Sequence, residues 1–226
     1  MRELYFSIDI ECDGPIPARN SMISIGAVAI NEKAEKIGEY SANLKPLEDC
    51  DPEISTTAFW KNYPEAYRKS TEGARDPIII MKEFYDWVKS FKAEKNVFVA
   101  YPAGFDYQFI NWYFMTLLGK NPFSFNILDI RSFAMGILGV SFGESSPDKL
   151  PLEWQSDLPH THVAIEDARQ QADIFIAAFK ASKEADYLRA ESAKILSDNE
   201  VPMIYRNQLA KQLSNFKGTR STKFAV

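Results

Sequence analysis

The sequence is poor in cysteine and lacks long apolar runs, and each scarcity argues against a class of protein. Only Cys12 and Cys50 occur in 226 residues, and they do not form a Cys-x-x-Cys pair, so neither a disulfide framework nor a cysteine metal site is indicated. No apolar run approaches the length of a membrane span, and the N-terminus lacks the basic and apolar regions of a signal peptide. We therefore expect a cytoplasmic protein that makes no contact with a membrane.

An excess of basic residues is also absent. The net charge of −5 argues against a protein that binds nucleic acid through a large basic surface. The exception is the segment from residue 201 onward, which contains no acid and these five basic residues: Arg206, Lys211, Lys217, Arg220 and Lys223. Such a segment either contacts phosphates or forms a solubilising, partly disordered end.

The length and the apolar content are sufficient for one well-packed core. With 46% apolar residues, the chain is expected to form one domain over residues 1–182. Residues 183–226 are then a helical or partly disordered extension with a basic end.

The order of apolar patterns predicts an α/β fold. Three short β-type runs at 4–11, 22–30 and 36–44 predict an antiparallel meander, and two more at 96–101 and 125–130 predict parallel strands. Helical spacing predicts helices that begin near residues 76, 105, 131 and 162, the last of which ends near 182. The expected fold is a mixed sheet flanked by helices.

Two connections are less regular. Residues 45–75 are polar but contain Phe59, Trp60, Tyr63 and Tyr67, which either stack on bases or, as we favour, pack over the sheet. Residues 139–161 form a long loop rich in Pro, Ser and Gly, a kind of segment that is often a functional lid or disordered.

The first predicted strand carries two acids. Side chains alternate along a strand, so Asp9 and Glu11 share one face with Ser7, while Phe6 and Ile8 point the other way. Two carboxylates beside a core repel each other, and a hard cation such as Mg²⁺ or Mn²⁺ would reverse that repulsion. The alternative is a half-exposed strand whose polar face meets solvent.

Further titratable residues lie at the ends of other predicted elements. Asp106 follows a central strand, where open α/β sheets bind ligands, although Asp is also a common N-cap residue. Asp167 lies beside the apolar stripe of the last strong helix, and both histidines, His160 and His162, precede it.

Three motifs occur together: Asp9-x-Glu11, Phe105-Asp106 and His162-x-Ala164-x-x-Asp167-Ala168. In order and spacing they resemble the DEDDh, or DnaQ-like, family of 3′-to-5′ exonucleases on a ribonuclease H-like fold, over about residues 3–182. One departure is visible, since many members have an asparagine shortly before the second aspartate, where this chain reads Tyr101-Pro102-Ala103-Gly104.

The resemblance implies a catalytic set and its cofactors. Asp9, Glu11, Asp106 and Asp167 would hold two Mg²⁺ or Mn²⁺ ions, and His162 would act as general base on the attacking water. His160 is the competing candidate for the base and lies outside the motif. The implied reaction is hydrolysis of the terminal phosphodiester at a 3′ end, which releases nucleoside 5′-monophosphates.

The resemblance also directs attention to residues around this set. Cys12, Asp13 and Gly14 would approach the terminal sugar, and Met22 and Phe105 would contact the last bases, although ordinary core packing explains these residues about as well. The expected partner is the 3′ end of single-stranded RNA or DNA, with RNA favoured. A homodimer is one option for the assembly, and a non-catalytic nucleic-acid-binding module of the same fold is the alternative function.

Overall fold

Five strands form one mixed sheet in the order β3-β2-β1-β4-β5. A computed structural model describes residues 2–198 and 201–219. The strands are β1 (Glu3–Cys12), β2 (Met22–Ile30), β3 (Lys36–Asn43), β4 (Lys95–Ala100) and β5 (Ile127–Asp129). β1 pairs antiparallel with β2 and parallel with β4, so the strand that carries the two acids lies at the centre of the sheet.

Helices cover both faces of this sheet. They are α1 (Ile54–Asn62), α2 (Pro64–Thr71), α3 (Pro77–Ser90), α4 (Ala103–Leu118), α5 (Ile130–Leu138), α6 (Ala164–Ser197) and α7 (Met203–Thr219). One apolar core lies between the sheet and α3 with α4, and the other lies between the sheet and α5 with α6. The predicted mixed α/β architecture is therefore confirmed.

Several boundaries differ from the sequence prediction. Residues 45–75 contain α1 and α2 instead of an irregular connection, and β5 is shorter than predicted. The last strong helix begins at Ala164 and continues to Ser197, so its predicted end near residue 182 is wrong. The domain boundary at residue 182 stays a prediction, although α6 crosses it without a break.

The C-terminal part of the described chain is α7. Met203, Ile204 and Tyr205 at its start are exposed, and Arg206 and Lys211 of the basic segment follow on the same helix. Arg220 and Lys223 lie outside the described residues, so the role of the basic end stays a prediction. The homodimer also stays a prediction. Among residues 2–198 and 201–219, no helix combines the length and the apolar character that crossing a membrane requires.

The start of α6 packs against β2 at a glycine. Gly26 is the register partner of Asp9, and a Cβ at Gly26 would lie 2.3 Å from the backbone of Ala164 and Ile165. Real Cβ atoms do not approach backbone atoms so closely, so only glycine lets α6 reach the sheet here. Asp167 lies in the first turn of α6 and is thereby brought next to β1.

We expect Gly26→Ala to destabilise the protein by about 1–3 kcal/mol, since the added methyl group overpacks a backbone contact. The position of the Asp167 carboxylate relative to β1 should change as well, because the displaced helix carries Asp167. Urea denaturation measures the stability. Gly136→Ala is the matched control: Gly136 lies on α5 with nothing within 4 Å of its added Cβ, so this variant should be as stable as the parent or more stable. Equal stability of both variants would contradict the packing argument.

Candidate active site

Three carboxylates from two elements meet at the centre of the sheet. Asp9, Glu11 and Asp167 each offer an oxygen within 4.8 Å of the others. β1 alternation turns Asp9 and Glu11 toward α6, and the Ser7 hydroxyl on the same face donates to the Ala168 carbonyl oxygen at 2.9 Å. This contact ties β1 to α6 at the level of the acids.

Asp106 lies close to this group but outside it. It occupies the first turn of α4, is almost fully buried, and accepts a hydrogen bond from the Ile10 backbone N–H at 3.1 Å. Pro102 and not Asp106 is the N-cap of α4, so the capping alternative does not apply. The charge of Asp106 acts on both Asp9 and Glu11.

The backbone before α6 holds Asp167 in place. The N–H groups of Thr161 and His162 donate to its two oxygens at 2.8 and 2.9 Å, and Nδ1 of His160 lies 3.1 Å from Oδ2. Burial pushes the pKa of Asp167 upward, but the hydrogen bonds from His160 and from the two backbone groups outweigh it, and the pKa is lowered. Asp167 is therefore ionised.

In the other three acids, Asp9, Glu11 and Asp106, the surroundings disfavour the ionised form. Burial, followed by the charges of Asp167 and Asp106, raises the pKa of Glu11 to about 8. Burial also raises the pKa of Asp106 to about 7. The pKa of Asp9 rises well above its usual range because of burial and then the charges of Asp106, Glu11 and Asp167. A cation beside these groups would relieve both the repulsion and the lost hydration.

His162 lies beside this acidic cluster in an unusual backbone conformation. Its φ of +59° falls in the left-handed region, which non-glycine residues seldom occupy and which clusters at functional sites. Its ring contacts Tyr63 at 4.4 Å and Phe59 at 5.0 Å between centroids. Burial, and then the neighbouring His160, lowers the pKa of His162, so the imidazole is neutral near pH 7 and can accept a proton.

The aromatic cluster of residues 59–67 is only partly packed. Trp60 is buried and donates through Nε1 to the Cys12 carbonyl oxygen at 3.1 Å, as packing predicts. Phe59, Tyr63 and Tyr67 stay partly exposed, and the first two form the wall behind His162. The aromatic composition alone could not show that this wall belongs to the site.

Gln171 was not predicted as a site residue. Its Nε2 donates to Asp9 Oδ1 at 2.7 Å, both side chains are buried, and its Oε1 has no hydrogen-bond partner among the described residues. The signal was available in the sequence, because residue 171 lies four positions after Asp167 and therefore on the same helix face.

A pocket of about 320 Å³ opens beside Glu11. Its lining is mainly apolar, and Cys12, Gly14 and Phe105 of the predicted substrate residues belong to it, together with Phe59 and Trp60. A Cβ at Gly14 would lie 2.3 Å from the Asn20 side chain, so this glycine also makes room for Asn20.

Two predicted substrate residues lie elsewhere. The Met22 side chain is fully buried in the core between the sheet and α3 with α4, and its contact with a base stays a prediction. Asp13 is buried beneath the turn, where its carboxylate accepts a hydrogen bond from the Ser21 N–H.

The donor set fits a hard divalent cation. Carboxylate oxygens are the ligands that Mg²⁺ and Mn²⁺ prefer, and three of them lie within 4.8 Å of one another here. Burial and neighbouring acids raise the pKa values of Asp9 and Glu11, and no basic side chain in the described part of the chain offsets these effects.

We expect the metal-free protein to lose stability as the pH rises from about 4 to about 8. Unfolded Asp and Glu lose their protons near pH 4. Folded Asp106 and Glu11 hold theirs to about pH 7 and 8, so the folded state binds more protons and stability falls with pH. Mg²⁺ should therefore raise the melting temperature more at pH 8 than at pH 6, in thermal melts with and without EDTA.

Glu11→Gln provides the control for this pH effect. Glutamine keeps the shape of the side chain and cannot ionise, so the variant should show a smaller loss of metal-free stability between about pH 6 and pH 8. A wild-type protein whose metal-free stability is flat over this range would refute the electrostatic description of the cluster.

Comparison with known proteins reveals one family and several related structures. The family model described as the 3'-5' exoribonuclease Rv2179c-like domain matches residues 5–179. The chain is 34% identical over 180 residues to the 3'-5' DNA exonuclease Cap18 of Escherichia coli, in an alignment that covers 77% of this chain and 90% of that protein.

Solved structures of exonucleases share the fold. The zinc-bound complex of E. coli ExoI with single-stranded DNA superposes with a TM-score of 0.59 at 16% identity, over 85% of this chain and 44% of that one. The nuclease domain of 3'hExo, a DEDDh family member bound to rAMP, superposes with a TM-score of 0.58 at 14% identity, over 81% of this chain and 92% of that one. The chain thus spans less than half of ExoI. These structures identify the fold as ribonuclease H-like.

Proposed function

The chain belongs to the family of 3'-5' exoribonuclease Rv2179c-like domains, and on that premise we propose that it is a metal-dependent exonuclease acting on single-stranded 3′ ends. The observation that carries the proposal is the meeting of Asp9, Glu11 and Asp167 within 4.8 Å, with the His162 ring beside them. A binding module would have no use for a buried, mutually repelling set of acids.

Asp9, Glu11, Asp106 and Asp167 would hold two Mg²⁺ or Mn²⁺ ions, with Asp106 as the member outside the tight group of three. When bound, such ions supply charge stabilisation for the scissile phosphate and its leaving 3′ oxygen, and they make a water a better nucleophile. The protein contributes fixed carboxylate positions, because backbone N–H groups hold Asp106 and Asp167 before any ligand arrives.

His162 would accept the proton of the attacking water. Its ring is neutral near pH 7, as a base must be, and Phe59 and Tyr63 limit its rotation. The backbone N–H of the same residue donates to Asp167, so the position of the base and that of one acid are fixed together.

The pocket beside Glu11 would take the terminal nucleoside. Its volume of about 320 Å³ and its apolar walls suit a base and a sugar, and the exposed ring of Phe105 offers a stacking surface. Cys12 and Gly14 would lie against the sugar, whose 5′ oxygen carries the scissile phosphate, and the leaving 3′ oxygen would belong to the preceding nucleotide. The product would be a nucleoside 5′-monophosphate.

RNA is the proposed preference, supported by the description of the family that matches residues 5–179. DNA is the second candidate, because the relative at 34% identity is a DNA exonuclease. The two sugars differ by the 2′-hydroxyl, which is the group a protein uses to tell them apart.

The test uses 5′-labelled single-stranded RNA and the matching DNA, with Mg²⁺, with Mn²⁺ and with EDTA. A ladder that shortens from the 3′ end and requires metal supports the proposal, together with the release of nucleoside 5′-monophosphates. The relative rates on RNA and DNA rank the two sugars. If the metal-loaded protein cuts neither strand, the exonuclease proposal fails, and the alternative of a non-catalytic binding module is tested by binding of the same oligonucleotides.

We expect Gln171→Met to weaken Mg²⁺ binding by about tenfold, because residues that orient a ligand typically cost this much when removed. Methionine keeps the length of the side chain but cannot donate to Asp9 Oδ1, which is then free to turn away from the cation. Mg²⁺ titrations followed by thermal shift measure the affinity. Unchanged Mg²⁺ affinity together with a lower metal-free melting temperature would instead indicate a purely structural role for Gln171.

A further inference from the structure

A second cluster of metal-ligating side chains lies next to the acidic one and includes a residue with no role in the proposed reaction. His160, His162 and Asp167 each offer one ligand atom within 4.8 Å of the others. His160 lies outside the spacing that joins His162 to Asp167, and the exonuclease proposal does not use it.

The geometry of this cluster is close to that of a three-ligand metal site. Nδ1 of His160 is 3.1 Å from Oδ2 of Asp167, and the two imidazole rings lie 4.4 Å apart between centroids. Ligands of a tetrahedral Zn²⁺ with bonds of about 2.0–2.1 Å are separated by about 3.3 Å. The side chain of His160 is 56% exposed and can rotate to close the remaining distance.

The donors of the two clusters differ in kind. The acidic cluster offers only carboxylate oxygens, which suit Mg²⁺ and Mn²⁺. Two imidazole nitrogens and one carboxylate oxygen are instead a set typical of Zn²⁺ and of other late first-row metals, with an open fourth position for water. The exposure of His160 gives the ion a direct route from solvent.

We propose that His160, His162 and Asp167 form a Zn²⁺ site whose occupation switches the exonuclease off. The inhibitory part of this inference rests on the proposed function, since Zn²⁺ would occupy the ring nitrogen of His162 that is needed as base and an oxygen of Asp167 that is needed by the hard cations. The binding part stands on the geometry alone.

Two variants separate this site from the acidic one. His160→Asn removes the imidazole but keeps an amide N–H about where Nδ1 donates to Asp167, and Asp9→Asn weakens only the acidic site. Zn²⁺ affinity is measured by calorimetry in saturating Mg²⁺, and Co²⁺ replaces Zn²⁺ for absorption spectra that report imidazole ligands. We expect at least about tenfold weaker Zn²⁺ binding in His160→Asn and binding at least as tight as that of the wild type in Asp9→Asn.

Inhibition is then measured as the activity of each protein with Zn²⁺ divided by its own activity without Zn²⁺. Half-inhibition of His160→Asn should need at least about tenfold more Zn²⁺ than that of the wild type. Wild-type Zn²⁺ affinity in His160→Asn, loss of that affinity in Asp9→Asn, or no Zn²⁺ binding by the wild type would each overturn the site. If the protein proves to have no exonuclease activity, the calorimetry and spectra still decide the binding part.

Melting curves without metal show whether His160→Asn is folded. His160→Gln serves as the second variant, because glutamine also lacks an imidazole and reaches farther toward Asp167. Both should need at least about tenfold more Co²⁺ than the wild type to develop the absorption spectrum of the bound ion, and a wild-type Co²⁺ titration in either variant would contradict His160 as a ligand.

Discussion

Asp9→Asn is expected to lower the exonuclease rate by at least about 10³-fold while it stabilises the metal-free protein. Metal-ion stabilisation of a transition state is worth several kcal/mol, and about 4 kcal/mol corresponds to this factor. The stabilising effect on the metal-free protein comes from removing an unfavourable charge. Burial and three neighbouring acids oppose the charge of Asp9, and asparagine removes that charge while its oxygen can still accept from Gln171.

A lower rate combined with a higher metal-free stability distinguishes an acid needed for function from one needed for folding. The rate is measured on a labelled oligonucleotide in saturating Mg²⁺, and the stability is measured as the melting temperature in EDTA. Asp173→Asn is the matched control, because Asp173 lies on α6 but pairs with Lys36 at the surface, so its loss should leave the rate nearly unchanged and cost at most about 1 kcal/mol. An Asp9→Asn protein with a near-normal rate, or one that melts lower without metal, would refute the role of Asp9.

The central part of the fold could be predicted because local pattern and tertiary contacts agree there. Alternation in β1 predicts that Asp9 and Glu11 share a face, and the structure places that face against α6. The motif around His162 and Asp167 predicts the partner acid, and the structure brings it within 4.8 Å of the first two. The predicted exonuclease family is confirmed by the family model over residues 5–179.

The parts that could not be predicted depend on contacts distant in sequence. α1 shows little apolar periodicity, and α2 is short and polar. The N-cap of α1 is Glu53, whose side chain accepts a hydrogen bond from the Thr56 N–H, and a glutamate in a polar segment is not a distinctive signal for the start of a helix. The position of Tyr63 beside His162 requires residues about a hundred positions apart to meet. The continuation of α6 past residue 182 is equally invisible, because its apolar stripe weakens where it leaves the sheet.

Met22 and Gln171 show two limits of motif reasoning. The predicted contact of Met22 with a base stays a prediction, and the structure places its side chain in the core. Gln171 was overlooked because it is neutral and common, although its spacing from Asp167 places it on the face that meets Asp9. Charged residues identify a candidate site in a sequence, whereas a neutral residue that positions them, such as Gln171, is recognised from its hydrogen bond in the structure.

His162→Asn is expected to lower the rate by about 10²–10⁴-fold, the usual contribution of a general base, while Mg²⁺ binding persists. Asparagine tolerates the left-handed backbone conformation of this residue better than most side chains, so the loop should keep its shape. The backbone N–H that donates to Asp167 is then retained, and only the imidazole is lost. Rates in saturating Mg²⁺ and Mg²⁺-dependent thermal shifts measure the two effects separately.

His162→Val supplies the contrast that makes this result interpretable. A β-branched side chain is strongly disfavoured at φ of +59°, so valine should displace the loop, remove the N–H contact to Asp167 and weaken Mg²⁺ binding together with the rate. If His162 acts only through its ring, the asparagine variant should lose rate and keep Mg²⁺ binding. The valine variant should lose both. If His162→Asn retains more than about a tenth of the wild-type rate, the ring is not the base, and His160 becomes the group to test next.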